Sequence, residues 1–200
     1  MNTAYKLQGI HRHYEWGGQS FIPQLMHIDN ATSKPFAEYW MGAHPSAPSI
    51  VETPEGAVAL DQMIAENTIQ FLGAKTTDRF GSLPYLFKIL DVEKMLSIQV
   101  HPSKENAEKG FNKEQIAGLP IDAPHRNYKD QNHKPEVMVA LSDFWLLHGF
   151  MPAMALKERL TSLAPLHKLL PIFGMDDYAG LYSHFMRLNQ AAADAILKPL

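Results

Sequence analysis

For its first 150 residues the chain meets a Pro, Gly or Asn so often that its apolar segments are held to seven to nine residues. That length suits strands better than packed helices, and β-branched and aromatic residues fill the segments. The clearest are "AEYWMGAH", "PYLFKILDV", "KMLSIQVHP", "PEVMVAL" and "FWLLHGF". Short helical stretches fall between them. "GQSFIPQLMH" is one, "LDQMIAEN" a second, and "SKENAEKGFNKEQIAG" a third, with Ser103 as N-cap and Gly118 as stop. The expectation is a mainly β domain over 1–150 with helical insertions.

From Met151 the period changes. Leu156, Leu160 and Leu163 recur at helical spacing, and Leu181, Phe185, Leu188, Ala192 and Ile196 do so again. The tail "RLNQAAADAILKPL" is strongly helix-forming, with no following element for its apolar stripe. Residues 151–200 therefore read as the start of a helical domain that is cut off.

Composition narrows the chemistry. With 200 residues and a formal charge of -3 spread along them, the chain carries no broad basic field for nucleic acid or an anionic membrane. An anionic small molecule needs only a few local bases. There is no cysteine, so a metal here must take nitrogen and oxygen ligands. No charged start with an apolar core marks a leader, and no apolar run has membrane-spanning length, so a cytoplasmic protein is expected.

In "LSIQVHP" a strand would put Leu96, Ile98 and Val100 on one face and Ser97, Gln99 and His101 on the other. The polar face either meets water or carries a site. In "YKDQNHKPE" Pro135 pushes Lys134 towards an extended backbone, so Lys134 and Glu136 should project from one side, as a surface ion pair or as part of a site. Together the two segments offer an amide oxygen, an imidazole and a carboxylate. On neighbouring barrel strands, Gln99, His101 and Glu136 could converge on one divalent ion such as zinc.

The run "LSIQVHPSKENAEKGF" followed by "YKDQNHKPE" resembles the type I mannose-6-phosphate isomerases, whose signature Tyr-x-Asp-x-Asn-His-Lys-Pro-Glu is met by Tyr128, Asp130, Asn132, His133, Lys134, Pro135 and Glu136. The similarity extends through "YEWGG", "AEYWMGAHPSAPS" and "LPYLFKIL", over about the first 150 residues. The resemblance implies a cupin-type (RmlC-like) jelly-roll barrel with one zinc ion per chain, interconverting mannose 6-phosphate and fructose 6-phosphate. It places the family's Gln, His and Glu ligands on Gln99, His101 and Glu136. The family's fourth ligand, a His, and an Arg implicated in catalysis lie further along than this sequence runs, so an N-terminal portion is expected. The intact family member is expected to be a monomer.

Lys134 is the in-chain candidate for acid/base or charge-stabilising work, or else for holding the substrate's phosphate or a hydroxyl. Ser97 is placed to bind a phosphate or sugar oxygen. Lys88, on the face of Leu86 and Leu90, either reaches into a cavity or snorkels at a strand end. Trp16 is a pocket residue by motif match alone. His11, His13, His44 and His148 read as structural histidines, and His133 as a partner that orients Glu136. The rival readings are a non-catalytic metal-binding cupin module that binds a sugar phosphate, and a degenerate domain with no ligand.

Overall fold

The computed structural model describes residues 4–96, 99–174 and 177–200, in two compact units, Met1–Lys134 and Pro135–Leu200. In the first unit, β1 (Lys6–Gln8) and β2 (Ile10–Arg12) are consecutive pieces of one extended segment that serves two sheets. One sheet has the order β1-β4-β5, with β4 at Ile50–Thr53 and β5 at Gly56–Ala59. The other has the order β2-β3-β6, with β3 at Glu38–Met41 and β6 at Phe87–Leu90. All four pairings are antiparallel.

The switch between sheets falls at Gly9. Its N–H donates to Tyr39 Oη at 2.7 Å, and a Cβ there would run into the Trp40 carbonyl oxygen and the Tyr39 ring. A residue without a side chain is what lets the segment pass that close to β3.

β3 is central and buried on both faces, with Glu38, Tyr39 and Trp40 all below 9% exposed. Tyr39 packs with Ile22, Phe36, Met26, Ile28, Met41 and Ile89 beneath α1 (Phe21–Leu25). Ser20 gives α1 no side-chain cap; the Asp91 carboxylate accepts from the N–H groups of Phe21 and Ile22 instead. By strand alternation Glu38 and Trp40 belong to the opposite face.

Three short helices, α2 (Leu60–Glu66), α3 (Thr68–Leu72) and α4 (Ala74–Phe80), connect β5 to β6. The long α5 (Lys104–Ile116) begins and ends where the sequence indicates. Ser103 Oγ accepts from Asn106 N–H at 3.2 Å, and Gly118 follows at φ 71.

In the second unit, α6 (Ala153–Ser162), a 3-10 helix (Ala164–Leu169), α7 (Tyr178–Met186) and α8 (Gln190–Leu197) gather around Leu160, Leu169, Phe173 and Ile196. The stripe from Leu181 to Ile196 is thus two helices, the second capped by Asn189, whose Oδ1 accepts from Ala192 N–H at 2.9 Å. Ile196 is 2% exposed, so the expectation that the tail has nothing to pack on is corrected: it packs back on α6 and the 3-10 helix.

Three expected strands are not formed among the described residues. Among the described residues "KMLSIQVHP", "PEVMVAL" and "FWLLHGF" contain none, and no strand begins at Glu136 to carry it and Lys134 on one side. Val100 is 78% exposed and Val137 and Trp145 96%, so Val100, expected on the apolar face of "LSIQVHP", meets solvent as well. β-type side chains favour a strand only where a neighbour completes the ladder. These runs have no such neighbour among the described residues. The described residues thus form two small sheets with helices.

Candidate active site

Cross-strand register assembles a charged, aromatic face on the β2-β3-β6 sheet. Arg12 lies opposite Glu38, and Lys88 opposite Trp40. Trp40 Nε1–H donates to Glu38 Oε2 at 2.6 Å. Lys88 Nζ stands 3.7 Å from Glu38 Oε1, in side chains only 28% and 10% exposed. The Lys88 ammonium and the Arg12 guanidinium each lie 4.9 Å from the Trp40 ring centroid. Each such contact stabilises by roughly 0.5–2 kcal/mol, depending on how far water is excluded. Trp40 thus serves as a platform for two cations beside one nearly dry carboxylate.

Arg12 also donates from Nε to Tyr14 Oη at 3.2 Å, and the Tyr14 ring stacks on Trp16 at 5.6 Å. The Trp16 carbonyl in turn accepts from the N–H groups of Glu93 and Lys94 at 3.1 and 3.0 Å. Trp16 therefore sits beside this face and anchors the chain leaving β6.

The loop after β3 brings in a histidine. Ser49, fully buried, closes the loop: its Oγ accepts from Gly42 N–H and its N–H donates to the Gly42 carbonyl, both at 2.9 Å. His44 projects from the loop with its ring 5.0 Å from Trp40, edge to face. Its pKa is lowered first by partial burial and then by Lys134; Asp130 opposes this, while Lys88 and Arg12 add to it.

The signature segment is held by α5. Glu114 accepts from Tyr128 N–H at 2.8 Å and from Asn127 N–H at 3.1 Å, and the Tyr128 bond is the main reason its carboxyl lies below the usual range. Arg126, 3% exposed, donates to the Tyr128 carbonyl at 2.7 Å, to Gln115 Oε1 at 3.0 Å and to the Leu119 carbonyl. Lys104 Nζ reaches the Gln131 carbonyl at 3.0 Å and Asn132 Oδ1 at 3.2 Å. Lys134 Nζ lies 3.6 Å from Asp130 Oδ2.

Of the residues singled out in the sequence, the first unit brings Lys88, Trp16 and Lys134 into relation with one face. Gln99 and His101 lie on exposed, irregular chain, and neither has a hydrogen-bond partner among the described residues. Glu136 is exposed and belongs to the second unit. Ser97 lies outside the described residues. Among those described, no three His, Cys, Asp or Glu side chains cluster closely enough to hold a metal. An amide oxygen, an imidazole and a carboxylate, exposed and uncommitted, nonetheless fit a borderline ion such as zinc.

Residues 4–153 match the family model of the type I phosphomannose isomerase catalytic domain. The chain belongs to the type I phosphomannose isomerase family. Among relatives of this family, the mannose-6-phosphate isomerase of Salmonella typhimurium is 43% identical over 169 residues, covering 84% of this chain and 43% of that protein. The enzyme of Rattus norvegicus is 37% identical over 203 residues, covering 96% and 45%. The crystal structure of the Salmonella typhimurium mannose 6-phosphate isomerase bound to its substrate fructose 6-phosphate and zinc is similar with a TM-score of 0.84 and 37% identity, over 98% of this chain and 51% of that one. The chain spans about half the length of the curated relatives it matches.

Sequence reasoning missed Arg12, Glu38 and Trp40, and read His44 as structural. The signal was present in part. "AEYWMGAH" alternates so that Glu38 and Trp40 share a face, but only the pairing register shows Lys88 and Arg12 across from them.

Proposed function

We propose that this chain carries the metal-ligand and part of the substrate machinery of a zinc-dependent mannose-6-phosphate isomerase, interconverting mannose 6-phosphate and fructose 6-phosphate. The observation that carries the reading is the face built from Arg12, Glu38, Trp40 and Lys88, in a chain of the phosphomannose isomerase family. It combines half-dry cations for an anionic sugar with an aromatic floor.

Gln99, His101 and Glu136 are the residues that would hold one Zn2+, and the bound ion would supply Lewis-acid polarisation of a substrate oxygen. The reaction takes a proton from C2 of the aldose and returns one to C1, the C–H electron pair passing through a C1–C2 double bond, while the O2 hydroxyl gives up its proton and O1 gains one, so that C2 ends as the ketone and C1 as the alcohol. Lys134 is assigned to that transfer at Nζ, which lies 3.6 Å from Asp130 Oδ2. Lys88 and Ser97 bind substrate oxygens, and Trp16 walls the site. His133 orients the Glu136 carboxylate.

The two sheets belong, in this reading, to a cupin-type barrel spanning 1–150, with the helical domain starting at 151. The intact enzyme is a cytoplasmic monomer that engages a small sugar phosphate rather than nucleic acid or membrane. No helix among the described residues is long and apolar enough to cross a bilayer.

The test pairs elemental analysis with an isomerisation assay on the wild-type chain and on His101→Ala. About one zinc per chain, lost in the variant, is the expected result. Sugar phosphate binding with zinc but no turnover would turn the reading into that of a binding module. Absence of zinc from both samples would refute the metal site.

A further inference from the structure

His44 is the group on this face that neither the signature nor the metal set accounts for. Its Nδ1 accepts from the backbone N–H of Ser46 at 3.2 Å, with the Ser46 hydroxyl 2.9 Å from the same atom. A backbone N–H can only donate, so Nδ1 offers its lone pair and the ring proton resides on Nε2. Nε2 has no hydrogen-bond partner among the described residues and is not a buried orphan. The ring is half-buried, and it is fixed by the Trp40 contact and by a turn in which Ala47 N–H donates to the His44 carbonyl at 2.9 Å.

We propose that His44 donates a hydrogen bond from Nε2 to an oxygen of the bound sugar phosphate, with Ser46 fixing the tautomer that makes this possible. The role rests on the isomerase reading above. The charged groups facing the ring are Arg12 from β2, Lys88 from β6, and Lys134 and Asp130 from the signature segment, while Glu38 of β3 accepts from Trp40 Nε1–H and pairs with Lys88. Glu38 and Asp130 each pair with a lysine, so one positive charge is left over. A second excess charge on the imidazole would be repelled. The site therefore gains a donor there without gaining charge, and the ring stays neutral where an oxygen must be held but not protonated.

The test uses the zinc-loaded full chain with fructose 6-phosphate as the probe, followed by nitrogen-resolved NMR of the imidazoles. Without ligand, His44 should show the Nε2–H tautomer; the Nδ1–H form would overturn the proposal regardless of any ligand. On adding the probe, the His44 nitrogens should shift. His44→Phe, which keeps a ring against Trp40, should weaken binding roughly ten-fold or more, and His44→Gln, which keeps a donor, should recover most of it. Shifts at Trp40 and Lys88 with His44 unmoved, or a well-folded His44→Phe that binds as the wild type does, would overturn the role of His44 and leave the sugar phosphate reading standing. No shift at any residue of the face would overturn that reading, and the substrate role of His44 with it.

Discussion

Replacing Arg126 by Met should cost the first unit about 3–5 kcal/mol, the range for stripping three hydrogen-bond acceptors of one buried donor. The side chain is 0% exposed and its guanidinium is shared among five partners. It donates to the carbonyls of Tyr128 and Leu119 and to Gln115 Oε1, stands 3.8 Å from Glu114 Oε2, and lies 4.9 Å over the Phe111 ring. Met fills most of the volume and keeps the contact with Phe111, so the loss is polar. Each acceptor left dry costs about 1–3 kcal/mol, but Leu119 and Tyr128 lie in surface segments that water can re-enter, which keeps the total below a simple addition. Against the roughly 5–15 kcal/mol that holds a domain folded, this is a large fraction. Urea unfolding followed through Trp16 and Trp40 fluorescence measures it. Arg126→Lys should recover less than half, because an ammonium cannot reproduce the planar fork. A midpoint shift equivalent to less than about 1 kcal/mol for the Met variant, with unchanged slope, would refute the claim that Arg126 ties the signature segment to α5.

Two other perturbations separate the parts of the molecule. His11 has an unpartnered, buried Nδ1 between Phe36 and Tyr39, and its pKa is depressed by burial, then by His13 and Lys34. A depressed histidine leaves the unfolded chain binding more protons. Its contribution is therefore complete above the unfolded value of about 6.5 and is lost as pH falls through that value towards the folded one. His11→Phe should flatten the fall in stability between about pH 7 and 5; an unchanged slope would place the acid sensitivity elsewhere. Phe173, 0% exposed at the centre of the helical core, should cost about 3–5 kcal/mol when cut to Ala. Amide exchange should then accelerate in α6 and α8 and stay unchanged in β3, and equal acceleration in both would show one cooperative unit instead of two.

Legibility in the sequence followed locality. α5 could be read to its caps because Ser103 and Gly118 act within a turn of the helix they bound. α2 was legible for a similar reason, its buried Met63 and Ile64 lying on a short apolar helical face. "PEVMVAL" and "FWLLHGF" misled because a strand is a property of a pair, and β-type side chains are silent about whether a partner exists. The same limit hid half of the candidate site. Lys88 was visible as a lone cation in an apolar run, but its partners Glu38 and Trp40 are some fifty residues earlier and are joined to it only by register. Trp16 could be picked out by motif, whereas the Tyr14 and Arg12 contacts that give it a setting could not.

The shared segment through Gly9 has a mechanical consequence. β1 and β2 are each the outer strand of their sheet, and they are consecutive in the chain. A pull on the amino-terminal end loads β1 against β4 and then β2 against β3 in one continuous motion, shearing or peeling an edge from both sheets with no intervening loop to absorb the force. Because β2 carries Arg12, the same motion strips a cation from the Trp40 platform. A pull applied upstream of Lys6 would thus dismantle the charged face together with the edges of both sheets, Arg12 leaving as β2 peels from β3.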